Sequence, residues 1–388
     1  MKKALVVSAD GISEKTGGGI YLRGVLDGIS TQYFQTIIIC KKNKSNIEEV
    51  LPSRYGNLRL YQLNRTLFSD VMSRFFFQMS FLSFYLRTIL TIIKDENPDV
   101  IYIHGTKHGA LIKIIKLLHN DIPIVLLTDN VEQVLYEKLY KLSKFKIRSY
   151  FELMMIKYSE KLSLKYSSVI SYITQTDQNI SKSLYEVRCK TFLWPVTIFN
   201  DIEQVGDGCV NKQSYGLFTG SFRFLPNIEA CKEIVSIFKN KSTEIKIAGL
   251  DAMKLNDFTK DYENIELISN PNDFEMRKIF EEALFFISMV KSGSGMKTKV
   301  AEALKYGLPV LGTEHSFIGY EDIFGEDVIM LMKDDTSLDK FLSYIYSADY
   351  SALRKKCHSL YKEFYSEQTS IKCAQRSISI IRQSLEAR

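Results

Sequence analysis

The sequence has no Cys-x-x-Cys pair, no Asp-x-Asp triplet and no uninterrupted run of twenty apolar residues. Its six cysteines (Cys40, Cys189, Cys209, Cys231, Cys357 and Cys373) are scattered, with no zinc-like histidine spacing beside them. That excludes a disulfide framework and a structural zinc site, and leaves free thiols in a reducing cytoplasm as the expectation. With no clustered His/Asp set along the chain either, no metal and no other cofactor is expected. The formal charge of +6 on 44.7 kDa falls short of a nucleic-acid binder and suits anionic small molecules or an anionic membrane surface. At the start, MKKALVVSADG has an apolar run too short for a secretory signal, and Asp10 ends it. The expected location is therefore cytoplasmic. The most apolar stretch, FFFQMSFLSFYLRTILTII (Phe75 to Ile93), is interrupted by Gln78 and Arg87. It predicts a buried helix, partly membrane-facing, rather than a transmembrane span.

What is there is alternation. Six β-branched runs (ALVVSA from Ala4, QTIIIC from Gln35, LRLYQL from Leu58, DVIYIH from Asp99, PIVLLT from Pro123 and SSVISYI from Ser167) alternate with segments of helix length. Near-continuous apolar strands separated by helices predict a parallel sheet covered on both faces. The pattern loosens over the polar, glycine-bearing stretch from Pro195 to Ser214, then restarts with YGLFTG, TEIKIAG, NIELI, ALFFISM and LPVLGT. From Ser351 to Arg388 the chain reads as helical. A length of 388 residues exceeds one ordinary core, so the fold class is α/β with two doubly wound parallel sheets in succession. Ligands of such sheets sit beyond the carboxyl ends of the strands.

One strand end stands out: SGSGMKTKVAEALKYGLPVLGT, from Ser292 to Thr313. Gly293 and Gly295 permit close backbone approach, the helix predicted from Lys297 to Tyr306 offers unpaired N–H groups, and Lys297 and Lys299 add cationic charge. Together they suit a phosphate or pyrophosphate, while Glu302 suits sugar hydroxyls such as those of a ribose. The other reading is a tight helix-start turn with solvated lysines, which leaves the ordered set of glycines, cations and carboxylate unexplained.

GSGMKTKVAEALKYGLPVLGT resembles the donor-binding element of GT-B glycosyltransferases, especially family 4-like bacterial enzymes of glycosyltransferase group 1. TGGGIYLRGVL (from Thr16) resembles the first-strand glycine loop of that family, TDNVEQVLYEKL (from Thr128) its HNVE-type segment, and LFTGSFRFLPNIEA (from Leu217) the start of its second domain. The four motifs occur in the family's order across nearly the whole chain. Some positions depart from the pattern. Ser294 replaces the first Glu of a Glu pair, leaving Glu302. Ser221 stands at the usual Arg and Pro226 near the usual Lys, so Arg223, Lys297 and Lys299 are the available replacements. Asp129 replaces a His.

The resemblance implies a GT-B fold, with two Rossmann-like domains facing a cleft. Residues 1–200 would form the acceptor side, 201–365 the nucleotide-sugar donor domain, and 366–388 a helix packing back on the first domain. It implies a retaining, metal-independent transfer from a nucleotide sugar to a glycan or lipid-linked glycan, in surface polysaccharide (capsule or lipopolysaccharide) synthesis. The departing nucleoside diphosphate would be met by the backbone of Gly18, Gly19, Gly295 and Met296, with Arg223, Lys297 and Lys299; Gly220, Ser294 and Glu302 complete the donor set. Asp10 and Asp129 each follow a strand, and either can orient or deprotonate an acceptor hydroxyl or simply cap a loop. His104 ends the fourth strand on the same side, and Thr313, Glu314 and His315 border the sugar or base pocket. His108 reads as an ordinary first-turn residue, and His119, His358 and, as the other reading, His315 as structural or surface. A sugar-nucleotide 2-epimerase and a non-catalytic nucleotide-sugar-binding protein remain as alternatives. From Lys138 to Lys165 basic and apolar residues interleave, which fits a solvated helix face or peripheral docking at the inner face of the plasma membrane.

Overall fold

The computed structural model describes residues 2–14, 16–42, 55, 57–202, 205, 215–293, 295–347 and 349–386. Ser294 and Cys209 lie outside the described residues. The chain divides into two compact units, residues 1–197 with 367–388, and residues 198–366.

In the first unit the elements are β1 (Lys3–Ser8), α1 (Gly17–Ser30), β2 (Gln35–Lys41), β3 (Leu58–Leu63), α2 (Leu67–Phe75), α3 (Leu86–Glu96) and β4 (Val100–His104). They continue with α4 (Gly109–Leu118), β5 (Ile124–Thr128), α5 (Glu132–Leu142), α6 (Lys146–Tyr166), β6 (Val169–Tyr172), α7 (Gln175–Leu184) and β7 (Lys190–Leu193). All seven strands are parallel, in the order β3-β2-β1-β4-β5-β6-β7. Ala4–Val7, Ile37–Cys40, Val100–Ile103 and Ile124–Leu127 are wholly buried, as strands covered on both faces must be. The edges β3 and β7 carry exposed Arg59 and Lys190, which discourage further pairing.

The second unit runs β8 (Gly216–Ser221), α8 (Leu225–Phe238), β9 (Ile245–Leu250), α9 (Asn256–Thr259), β10 (Ile265–Ser269), α10 (Asp273–Glu282) and β11 (Phe285–Ser288). After these come α11 (Thr298–Lys305), β12 (Val310–Gly312), β13 (Ile329–Leu331), α12 (Asp335–Ser347) and α13 (Tyr350–Phe364). Its six strands are again all parallel, ordered β10-β9-β8-β11-β12-β13. The last helix, α14 (Glu367–Glu386), belongs to the first unit. There Ser370 accepts from Trp194 Nε1 at 3.1 Å, and Ser377 Oγ meets Tyr102 Oη at 2.7 Å. A Cβ at Gly28 would lie 2.3 Å from Ser370 O, so α1 and α14 touch backbone to backbone.

Two sequence expectations need correction. The Phe75–Ile93 stretch is not one buried helix: α2 stops at Phe75, Phe77 adopts a left-handed φ of 57°, and a short 3₁₀ turn (Phe81–Tyr85) leads into α3. Phe75 is 81% and Phe76 68% exposed, so the interruption turns aromatic side chains outward. The tail breaks at Tyr365–Ser366 into α13 and α14. Among the described residues no helix is long and apolar enough to cross a membrane, and the five described cysteines are free.

Candidate active site

In each sheet the strand order reverses direction at one point, between β1 and β4 in the first unit and between β8 and β11 in the second. The crevices beyond these carboxyl ends are where doubly wound sheets bind ligands.

The register of the first sheet sets Ser8 opposite His104, and His104 opposite Leu127, one residue before the end of β5. Three residues read from the sequence as acceptor-side candidates therefore converge. His104 Nδ1 hydrogen-bonds Ser8 Oγ at 2.9 Å and lies 3.5 Å from Asp10 Oδ2, while His104 Nε2 lies 3.8 Å from Asp129 Oδ2. His104 is buried, and its Nε2 has no hydrogen-bond partner among the described residues. The chain shows no clustered His/Asp set in one dimension, yet the fold builds one here. Burial raises the Asp10 carboxyl above its ordinary range, with His104 opposing and Asp129 and Glu14 reinforcing.

Two further residues of this site escaped the sequence reading. Lys107, just after β4, pairs with Glu132 at 3.0 Å. Glu132, the first residue of α5, is buried; its Oε2 has no partner among the described residues, and burial pushes its carboxyl up to about 7 against the pull of Lys107. Its position is set by Glu160 of α6, whose carboxylate accepts from the backbone N–H of Glu132 (2.9 Å) and Gln133 (3.0 Å) and from Tyr185 Oη (2.8 Å). A buried carboxylate at a helix N-terminus satisfies otherwise orphaned donors. His108 is fully enclosed rather than an ordinary first-turn residue, and burial, with His104 and Lys107, depresses it to about 3.

Gly18 and Gly19 open α1 beside this cluster. A Cβ at Gly18 would meet Asp10 Oδ2 at 2.6 Å, and the Gly19 N–H donates to Thr16 Oγ1 at 3.2 Å. The start of α1 is thus shared between a carboxylate and its own cap.

In the second unit the β11–α11 loop turns through Gly293 (φ 103°) and Gly295 (φ 69°), a backbone region that favours glycine. Lys297 Nζ folds back to Gly295 O at 2.9 Å, and Met296 is buried, anchoring the loop. The hydroxyl of buried Tyr320 bridges the first turn of α11, donating to Lys297 O (2.7 Å) and accepting from the Ala301 N–H (2.9 Å). Lys299 and Glu302 form an i,i+3 ion pair at 2.5 Å. Thr313 Oγ1 donates to Val290 O (2.6 Å), pinning the strand end beneath the loop, and caps the short turn carrying Glu314 and His315.

Arg223 follows β8 and is paired on the surface. Its Nε meets Asp251 Oδ2 at 2.8 Å on the surface, and the guanidinium with Lys254 holds the Asp251 carboxyl down at about 2. Gly220, one residue before the end of β8, sits in a crowded place: a Cβ there would be 2.9 Å from Asn227 Nδ2, and Gly249 of β9 abuts Gly220 O. Among the described residues no three His, Cys, Asp or Glu side chains are arranged to hold a metal ion.

No family model matches the sequence, and no curated protein matches it. Solved structures do. Sucrose-phosphate synthase from Thermosynechococcus elongatus is 10% identical with a TM-score of 0.71, covering 100% of both chains. HepE of Anabaena, solved in complex with UDP, is 10% identical with a TM-score of 0.65 over 98% of this chain and 100% of its own. WaaG, a glycosyltransferase involved in lipopolysaccharide biosynthesis, is 12% identical with a TM-score of 0.65 over 96% of this chain and 98% of its own. At these identities the likeness is one of fold: the chain has the GT-B fold, built from two Rossmann-like parallel-sheet units.

Proposed function

We propose that the protein is a retaining glycosyltransferase of the family 4 type, moving a sugar from a nucleotide-sugar donor to a glycan or lipid-linked glycan in surface polysaccharide synthesis. The observation that carries this reading is the glycine turn at 293–295, with Lys297 and Lys299 at the start of α11, lying at the switch point of the second sheet. In the same fold, HepE is solved with UDP and with UDP-glucose.

The difficult step is departure of the nucleoside diphosphate, on which negative charge grows. Backbone N–H groups of Gly295 and Met296 and the α11 dipole meet that charge from fixed positions and reorganise little as it develops, while Lys297 and Lys299 turn to it from Gly295 O and Glu302. In this reading these cations do the work that a divalent ion does in other transferases. Arg223 joins them on leaving Asp251, Glu302 accepts from the ribose hydroxyls, and Gly220 and Ser294 complete the donor wall. In the first unit Asp129 orients the acceptor hydroxyl, Asp10 and His104 hold it in place, and the backbone of Gly18 and Gly19 is assigned to the departing diphosphate. The exposed aromatics around α2 and the basic run from Lys138 to Arg148 support peripheral attachment to the inner face of the plasma membrane.

A second reading, nucleotide-sugar binding without turnover, has one observation in its favour: Lys299 and Arg223 are both neutralised by carboxylates, Glu302 and Asp251. A transfer assay separates the two. UDP-, GDP- and ADP-linked sugars are incubated with and without candidate acceptors, and released nucleotide and product anomers are read by NMR. Release with the donor's anomeric configuration kept in the product supports transfer; binding without release from any donor leaves the second reading standing.

A further inference from the structure

Ser8 is the last residue of β1 and is wholly buried beside the carboxylate–histidine cluster. Its Oγ makes two hydrogen bonds among the described residues: it accepts from the Asp10 N–H at 3.1 Å, and it meets His104 Nδ1 at 2.9 Å. A serine hydroxyl has one proton to give and two lone pairs. The Asp10 amide only donates, so among the described residues the hydroxyl proton has a single acceptor, the Nδ1 lone pair. A proton on Nδ1 would instead aim two donors at Ser8 Oγ and leave the buried hydroxyl proton unanswered, which is costly inside a fold.

With Nδ1 accepting, the neutral ring carries its proton on Nε2. That nitrogen has no hydrogen-bond partner among the described residues, and Asp129 Oδ2 lies 3.8 Å from it. The gap is just beyond a hydrogen bond, and a small rotation of the Asp129 side chain, which is 25% exposed, closes it. The imidazole is less free to move, being buried and packed edge-on against Tyr21 with 5.4 Å between ring centroids. Asp10 Oδ2, 3.5 Å from Nδ1, is the competing partner. As a carboxylate it only accepts, so it favours the opposite tautomer, in which a bare Nε2 lone pair would face Asp129 and repel it. Ser8 Oγ is the nearer of the two, which decides the contest for Nδ1.

We propose that Ser8 is a positioning residue: its hydroxyl fixes His104 as the Nε2–H tautomer, and that N–H holds Asp129 Oδ2 so that the other carboxylate oxygen is left for the acceptor hydroxyl. Ser8 touches neither substrate; it acts through the ring of His104. The part given to the acceptor rests on the transferase reading above; the tautomer does not.

The test is a proton–nitrogen NMR spectrum of the full chain carrying isotope-labelled histidine, at about pH 8.5, where ordinary imidazoles are neutral. His104 is assigned by the signals lost in His104→Gln. The expected spectrum has the proton on Nε2 and a bare Nδ1, both in the wild type and in Ser8→Thr, which keeps the hydroxyl. In Ser8→Ala, which adds no bulk and is checked for folding by circular dichroism, the proton moves to Nδ1, drawn by Asp10. Its kcat in the transfer assay falls about a hundredfold while donor KM changes less than about threefold. A proton on Nδ1 or on both nitrogens of the wild type overturns the proposal, and that spectrum needs no variant. So does a tautomer that Ser8→Ala leaves in place, or one that switches with no loss of kcat. An Nε2–H tautomer that switches in Ser8→Ala, in a wild type that turns over no donor, upholds the Ser8–His104 assignment and counts against the transferase reading alone.

Discussion

Lys299 and Glu302 show how one ion pair can be read two ways. At 2.5 Å each partly neutralises the other before any ligand arrives, so a diphosphate must compete with Glu302 for the lysine. If Lys299 meets charge that grows mainly at bond breaking, Lys299→Ala lowers kcat about a hundredfold while donor KM rises less than about tenfold; equal losses in both would make it a ground-state contact. Two buried groups of the first unit give opposite pH signatures. Glu132 is held near 7 against an ordinary 4.5, so the folded state binds the extra proton and stability falls as pH rises through that window. His108, depressed from 6.5 to about 3, resists protonation in the fold, so its contribution is lost as pH falls below 6.5. Denaturant midpoints across pH should therefore show Glu132→Gln removing the neutral-side decline and His108→Gln removing the acid-side decline. Parallel curves for wild type and variants would contradict both. Asp10, His104 and Asp129 were legible as strand-end residues, because a strand end is visible in one dimension. Lys107, Glu132 and Glu160 were not singled out, because they meet only when the turn after β4 and the paired helices α5 and α6 come together in the fold.

At the scale of elements, α11 depends on a residue the sequence did not flag. Tyr320 comes 15 residues after Lys305, where α11 ends, and its hydroxyl ties the first turn of that helix at both Lys297 and Ala301. Tyr320→Phe should destabilise the second unit by about 1–3 kcal/mol, since it leaves a buried N–H unanswered. It should also weaken nucleotide binding at the neighbouring loop; denaturant unfolding and calorimetry measure the two, and unchanged values in both would remove Tyr320 from the account. Alternation of apolar runs made most strands and the parallel sheets readable. The four-residue β7 and three-residue β13 went unread: both are sheet edges buried only in part, so neither carries the continuous apolar run that marked the equally short β6, β11 and β12. The Phe75–Ile93 break was hidden for another reason. Continuous hydrophobicity signals burial, whereas the left-handed turn at Phe77 exposes these aromatics.

Taken whole, the molecule repeats one design, a parallel sheet with its strand order reversing at a central pair, and places a different chemistry at each reversal. The first unit gathers carboxylates and a histidine, the second a glycine turn and lysines. A small positive net charge suits the anionic donor proposed above. The phosphate cradle proposed for the second unit could be argued from the sequence because its residues are contiguous; the choice of a base and sugar would rest on surfaces that contiguity does not reveal. The central claim is that the glycine turn before α11 and the first turns of that helix bind a nucleoside diphosphate. The most direct test is a thermal-shift panel of UDP, GDP, ADP, CDP and CMP on the wild type and Glu302→Ala. At about a hundred times its dissociation constant a ligand adds about 2.7 kcal/mol of stability, which is readily seen. The account predicts a shift for one base that shrinks in Glu302→Ala, with affinity about tenfold weaker; no shift with any nucleotide, in protein shown to be folded, would contradict it.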